Sequence, residues 1–439
     1  MLPFILAITA INTELGLLRL GGVIISRVHI FDRLAVVLDY GWTDYIFDFV
    51  PEPKKSIKTQ QSRLFRHLLQ SHSYPYWDFF GSISILDHAT DVIYNQKRPT
   101  KKLDIYIPNV TLDENTYLYQ GKNDLHRPRK NALQPVIVFI YGGAWSSGSK
   151  LIYTLVGARL RSMGYLVMIP DYSIFPAGKT REMEQDVKMA IQWTYKNCRD
   201  FGGDPQQLYL MGHSAGAHLC ALTVLDDSIQ RVPTSLFGSS RSAISSSPIL
   251  TTLLDESIDR DKNDMLPRLR GMILCSGVYD IGEHYKHETS RGVEQISAMG
   301  RVMGNSEETF RLYSPTNILQ ELLQVSTRID RNYPTESQTR HQNLLRHLKS
   351  LLPIETLMIH GDKDQTVPWK SSSEFYMELK TLQLGSNVRM RVLTGMAHEE
   401  PVVALMPTFG RNAPFRQPLM DEISHFIDGD KSIKTSYRE

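Results

Sequence analysis

Cysteine is scarce: Cys198, Cys220 and Cys275 are the only three in 439 residues. They are too few and too scattered for a disulfide framework or a CxxC metal site, so the fold has to stand on packing alone. An excess of charge of one sign is missing as well, since 49 Lys plus Arg stand against 47 Asp plus Glu for a net +2. That balance leaves no broad electrostatic footprint for nucleic acid, and no DNA or RNA partner is expected. There is no GxGxxG or GxxxxGK[ST] phosphate loop and no zinc-type His pair, because His398-Glu399-Glu400 lacks a second His at helical spacing. The reading is of a protein that needs no cofactor and no metal. What the chain does hold, at 41% hydrophobic and 22% charged residues, is enough apolar material for a large core. Disordered and low-complexity classes are excluded.

Long apolar runs are missing except at the start, where Leu2 to Ile25 is interrupted by Glu14 and Arg19. No basic stretch precedes the run, which argues against a cleaved secretion signal. As a helix it could span a bilayer, yet thirteen Leu, Ile, Val or Phe at roughly −0.45 kcal/mol each are offset by two charges at about +3 each. Spanning, lying along the surface and packing on the domain itself therefore all stay open; residues 1–74 are read as an apolar or amphipathic membrane-associated segment, with a cytosolic location expected if the segment only packs on the domain.

From about residue 75 short apolar runs alternate with segments of helical length, the texture of a βαβ architecture. KKLDIYIP, PVIVFIYG, YLVMIPDY, QLYLMGH, LRGMILCSG, IETLMIHG and NVRMRVLTG read as strands, several apolar on both faces as a covered parallel sheet requires. Helices are expected over Leu151–Ser162, Lys179–Arg199, Ala215–Leu225, Lys370–Leu384 and Gln417–Ile427. Three polar stretches, 111–133, 226–264 and 324–345, read as surface loops, the second because of its serine cluster SSRSAISSS.

Met211 to Gly216 spells MGHSAG directly after QLYLM and directly before the small-residue segment AHLCALTVL. A GxSxG between a strand and a helix is the nucleophile elbow: its glycines let strand and helix cross closely, and Ser214 is lifted on a strained turn. A serine hydroxyl needs a base, and the base an orienting acid, in the chain order Ser, Asp, His typical of α/β-hydrolases. HGDKDQTVP follows one late strand and offers Asp362 and Asp364, with Asp364 preferred; GMAHEE follows the next and offers His398. His213 and His218 flank the elbow but precede the acid, so they are read as space-filling or locally bonded. The oxyanion formed on attack needs backbone N–H donors, each worth about 3 kcal/mol. Gly142, Gly143 and Ala144, after strand PVIVFI, are the candidates, completed by the N–H of Ala215. Tyr141 stands where many esterases carry His, so the internal hydrogen bonding of this loop has to differ.

The succession YGGAW, IPDYSIFPAG, FGGDPQQLYLMGHSAGAHLCALTV, SRG, LYSPTNI and HGDKDQTVP, followed by the late His, resembles the isoprenylcysteine methylesterases, relatives of kynurenine formamidases and carboxylesterases. The likeness runs over residues 135–427. It implies Ser214, Asp364 and His398 as catalytic residues, 142–144 as the oxyanion loop, hydrolysis of the carboxyl methyl ester of prenylated cysteine, and residence on endoplasmic reticulum or Golgi membranes. GMAHEE, the serine-rich insertion and 324–345 depart from the family pattern.

The expectation is an α/β-hydrolase fold over residues 75–430, with a mostly parallel eight-stranded sheet, helices on both faces, a helical cap at about 281–323 and a tail from 431. The cap mixes Tyr285, Val293, Ile296, Met299, Val302, Met303, Phe310 and Leu312, an apolar lid suited to a small hydrophobic ester. An arylformamidase with a small polar pocket and a general carboxylesterase are the rivals. A non-enzymatic scaffold of the same fold would typically have lost the nucleophile, which is present here.

Overall fold

The computed structural model describes residues 19–20, 23–24, 88–108, 133–237, 247–255, 265–327, 334–382, 387–406 and 414–429. The chain divides into two units, residues 1–83 and 84–439. In the first, Arg19–Leu20 pairs antiparallel with Val23–Ile24. Those four residues are strand where a helix running through to Ile25 was expected, and the sequence there holds two glycines, which disfavour helix. The rest of the N-terminal segment, the 111–133 stretch apart from its last residue, the serine cluster apart from Ser247 and the tail lie outside the described residues.

The second unit is built on eight strands: β1 His88–Ile93, β2 Lys102–Tyr106, β3 Gln134–Ile140, β4 Leu166–Pro170, β5 Gly203–His213, β6 Gly271–Cys275, β7 Glu355–Gly361 and β8 Asn387–Leu393. Their order across the sheet is β8-β7-β6-β5-β3-β4-β2-β1. β1 and β2 are antiparallel additions and the remaining neighbours run parallel. β4 and β6 are buried at every position, and β3 from Val136 onward, which is why their sequences are unbroken apolar runs. The exposed edge is β8, where Arg389 and Arg391 alternate with apolar residues and discourage pairing with another chain.

Helices α1 Thr154–Ser162, α2 Thr180–Asn197, α3 Ala215–Gln230, α4 Pro248–Asp255, α5 Ile281–Ser290, α6 Met299–Val302, α7 Glu307–Leu312, α8 Pro315–Thr327, α9 Pro334–Leu351, α10 Lys370–Thr381, α11 Glu400–Val403 and α12 Arg416–Asp428 complete the described residues. α3 packs against β5, β3 and β6 at the centre, with every one of its residues buried.

Two of the expected loops, 226–264 and 324–345, contain helix among their described residues. α3 continues through Asp226 and Asp227, whose carboxylates are buried against Arg181 (2.8 Å), Lys188 (3.0 Å) and Arg231 (2.6 Å), so charge that reads as surface is absorbed by ion pairs. Ser247, the last of the serine cluster, caps α4 by accepting the Leu250 N–H at 3.1 Å, the use for which helices favour serine. In the other stretch α8 and α9 occupy much of 324–345, and α9 carries Leu344 and Leu348 four residues apart, both buried. β1 was not among the expected strands; HATDVI holds three polar residues, His88, Thr90 and Asp91, and a bulge between Ala89 and Val92, which hides its alternation.

Candidate active site

β5 delivers Ser214 to the carboxyl edge of the sheet, and its backbone there is strained at φ 54°, ψ −123°. The turn exists because its neighbours are glycine. A Cβ on Gly216 would stand 2.1 Å from the Ile140 carbonyl oxygen, and one on Gly212 2.7 Å from Ala217. β3, β5 and α3 approach that closely only without side chains at these points. The Ser214 N–H donates to the Cys275 carbonyl at 2.9 Å, fixing the turn from the β6 side.

β7 and β8 supply the other two groups. His398 sits 2.9 Å from Ser214 Oγ through Nε2 and 2.7 Å from Asp364 Oδ2 through Nδ1. Because a carboxylate only accepts, Nδ1 carries the proton and Nε2 faces the serine as a base. Asp364 Oδ1 accepts the N–H groups of Thr366 (3.0 Å) and Val367 (2.8 Å), which aims its second oxygen at His398. Burial acts to raise the Asp364 carboxyl, but hydrogen bonds from His360 and His398 and the charge of His398 outweigh it and hold it well below the usual carboxylate range. Asp362 is turned elsewhere and accepts the Gly395 N–H at 2.7 Å. The loops of β7 and β8 meet because residue 361 is glycine, where a Cβ would fall 1.9 Å from the Met396 carbonyl oxygen. The acidic pair after His398 has a local use, since the Glu400 carboxylate accepts the Ala397 N–H at the start of α11.

The Gly142–Trp145 turn lies against the same serine. An ideal Cβ on Gly142 would come within 3.0 Å of Ser214 Cβ. Gly143, Ala144 and Trp145 follow at φ 138°, 49° and 58°. The Gly143 carbonyl accepts the N–H groups of Ser146 (3.1 Å) and Ser147 (3.0 Å), closing the turn. The N–H groups of Gly143, Ala144 and Ala215 find no acceptor among the described residues, and Ala215 is the first residue of α3, where N–H groups are left free. Gly142 contributes chiefly room and its carbonyl, which accepts the Tyr153 hydroxyl at 3.3 Å. Tyr141 is buried between the rings of Tyr153 and Tyr172 and donates to Asp171 Oδ1 at 3.0 Å, the different bonding that its place in the loop demands.

Both elbow histidines are bonded in ways the sequence did not specify, His213 through Nε2 and His218 through both ring nitrogens. His213 donates Nε2–H to the His398 carbonyl at 2.8 Å, and its rings stand 5.1 Å from those of His398. His218 joins Trp145 to Tyr313. Burial keeps both neutral, pushing His213 down to about 3 and His218 to about 4. The cap closes on the loop of Asp364: His287 and Arg291 of α5 and the turn after it donate to the Gln365 carbonyl at 3.0 and 2.9 Å. Its apolar residues are mostly spent on internal packing, with Met299, Val302, Met303 and Phe310 buried and Ile296 exposed at 54%. It also holds buried polar groups, His284, which burial pushes down to about 3, and Glu288, which burial raises to about 7. Among the described residues no cluster of His, Cys, Asp and Glu could hold a metal ion, and no helix is long and apolar enough to cross a membrane.

The order of strands and the elbow at the end of β5 agree with a comparison against solved structures, where an inhibited esterase B from Lactobacillus rhamnosis matches with a TM-score of 0.52 at 15% identity, over 92% of this chain and all of that one. The chain has the α/β-hydrolase fold. Within residues 123–323 it matches the BD-FAE family. The chain is similar to a probable isoprenylcysteine alpha-carbonyl methylesterase of Oryza sativa subsp. japonica, 26% identical over 74% of the chain and 59% of the relative. It is also similar to a kynurenine formamidase of Danio rerio, 24% identical over 49% of the chain and 55% of the relative. The chain spans 49–59% of the length of the isoprenylcysteine methylesterases it matches.

Proposed function

We propose that the chain hydrolyses carboxylic esters through an acyl-enzyme on Ser214. The observation that carries this reading is the continuous hydrogen-bonded path from Ser214 Oγ through His398 to Asp364, set beside unpaired backbone N–H groups. Ser214 Oγ attacks the ester carbonyl while His398 Nε2 takes its proton, and Asp364 stabilises the imidazolium without itself being protonated. The carbonyl oxygen becomes an oxyanion and receives hydrogen bonds from the N–H groups of Ala215 and of Gly143 or Ala144. His398 then protonates the leaving alcohol, the acyl group stays on Ser214, and a water repeats the sequence to release the acid and restore the serine.

At the finer level the substrate is a small hydrophobic ester, in our reading the methyl ester of prenylated cysteine. What supports it is the likeness to isoprenylcysteine methylesterases and an apolar N-terminal segment that would hold the protein on the membrane where such molecules partition. Burying even five carbons of a prenyl chain contributes about 4 kcal/mol at about 0.8 kcal/mol each. A formamide substrate is the competing reading, favoured by the buried polar groups His284 and Glu288 in the cap and by the formamidase relative. Turnover of purified protein on a prenylcysteine methyl ester, short acyl esters and N-formylkynurenine separates them. The methyl ester is expected to have the highest kcat/KM; efficient cleavage of formylkynurenine with the prenylated ester untouched would reverse the choice.

A further inference from the structure

The turn that carries the candidate oxyanion donors is strained. Ala144 and Trp145 both sit at positive φ, a conformation that costs a residue with a side chain on the order of 1 kcal/mol or more and persists only when its surroundings impose it. Two bonds impose it at Trp145. The Phe175 N–H donates to the Trp145 carbonyl at 2.8 Å, and the Trp145 indole N–H donates to His218 Nδ1 at 3.1 Å, inside a pocket where Trp145 is 2% and His218 0% exposed. His218 stands one helical turn after Ser214 on α3, and its N–H donates to the Ser214 carbonyl at 3.1 Å. The helix that presents the nucleophile therefore also presents the tether of the turn.

The second ring nitrogen decides the tautomer. His218 Nε2 lies 2.8 Å from the Tyr313 carbonyl oxygen, which can only accept, so Nε2 bears the hydrogen and Nδ1 is left as the acceptor that the indole requires. Tyr313 ends α7 in the cap. Removing the cap contact would free the imidazole to adopt the other tautomer, in which two N–H groups face each other across the Trp145 bond.

We propose that His218 is a positioning residue: it holds the Gly142–Trp145 turn in the conformation that presents its N–H groups, and it is itself held in the competent tautomer by the cap carbonyl of Tyr313. This rests on the ester-hydrolase reading above. The cap thereby acts on the oxyanion donors through one buried imidazole.

The test uses the full chain and p-nitrophenyl acetate. Trp145→Phe keeps a buried aromatic ring but deletes the indole N–H together with the five-membered ring that carries it; His218→Leu deletes the acceptor; His218→Asn places a carbonyl oxygen near the position of Nδ1. The expected result is a 10- to 100-fold fall in kcat for Trp145→Phe and for His218→Leu with KM within threefold, because a donor is misplaced for the transition state more than for the ground state. The double variant is expected to be no more than threefold slower than the slower single one, and His218→Asn to recover at least fivefold over His218→Leu. Should His218→Leu fail to fold, Trp145→Phe and His218→Asn decide. A kcat for Trp145→Phe within threefold of the parent, fully multiplicative losses, or a change confined to KM overturns the proposal while leaving ester hydrolysis standing. A parent protein that does not turn over the ester, or one whose turnover survives Ser214→Ala, sinks both readings.

Discussion

Replacing Asp364 by Asn changes one atom and reverses the logic of the hydrogen-bonded path. In the parent, Asp364 Oδ2 accepts from His398 Nδ1 at 2.7 Å and leaves Nε2 free to take the serine proton at 2.9 Å. An Asn can keep its carbonyl oxygen on the Thr366 and Val367 N–H groups, which bind Asp364 Oδ1, so its NH2 takes the place of Oδ2. An NH2 group donates, so it selects the imidazole with a bare Nδ1 and a hydrogen on Nε2, which cannot act as base toward Ser214. The loss expected from the wrong tautomer is about 10⁴ in kcat, equivalent to about 5 kcal/mol of transition-state stabilisation. Asp362→Asn is the internal control: its oxygen can still accept the Gly395 N–H, and kcat is expected to stay within about threefold. Steady-state turnover of p-nitrophenyl acetate, with folding checked by circular dichroism, reads both. A kcat for Asp364→Asn within tenfold of the parent, or the reverse ranking of the two variants, refutes the tautomer argument.

Acid should weaken the fold well above the pH at which carboxylates titrate. Burial holds His213, His218 and His284 neutral, at about 3, 4 and 3, against about 6.5 in the unfolded chain. The unfolded state therefore takes protons that the folded state refuses, so stability is full above about pH 6.5 and falls as pH drops toward 4, by about 2 kcal/mol per histidine between pH 7 and 5. Asp364 adds its own loss only below about pH 4, because its folded pKa is the lowered one. Urea unfolding midpoints at pH 7 and pH 5 check this, and equal midpoints would contradict it. For the N-terminal segment, carbonate extraction of membranes from cells expressing the chain is expected to leave the protein in the pellet if the segment spans and to release it if the segment lies on the surface. Full recovery in a salt-washed soluble fraction would remove the membrane from the proposed function.

What was legible in the sequence was whatever a local pattern dictates. The apolar runs of β3, β4 and β6 read as covered parallel strands because both of their faces are buried, and Gly212, Ser214 and Gly216 read as an elbow because glycine is needed where the strand and helix backbones nearly touch. The residues 226–230, 247–255 and 334–351 were not legible as helix. Their polar composition signals surface, whereas Asp226 and Asp227 are buried by ion pairs from other elements, Ser247 is a cap, and α9 buries a stripe of leucines. At the site, the choice between Asp362 and Asp364 depends on which way two side chains of one turn point, and no spacing encodes it. The links from His213 to the His398 loop and from His218 to Trp145 and Tyr313 cross 185, 73 and 95 residues of sequence. Only the histidines' unusual place around the elbow could have signalled them.

The central claim is that Ser214 is the nucleophile, and covalent capture addresses it most directly. The purified chain is treated with a fluorophosphonate, digested and mapped by mass spectrometry, alongside Ser214→Ala carried through the same steps and through turnover of p-nitrophenyl acetate. A single adduct on the peptide containing Ser214 is expected, absent from the alanine variant, with kcat lowered about 10⁴-fold or more. An alanine variant that still takes the label elsewhere and hydrolyses the ester at the parental rate would contradict the account.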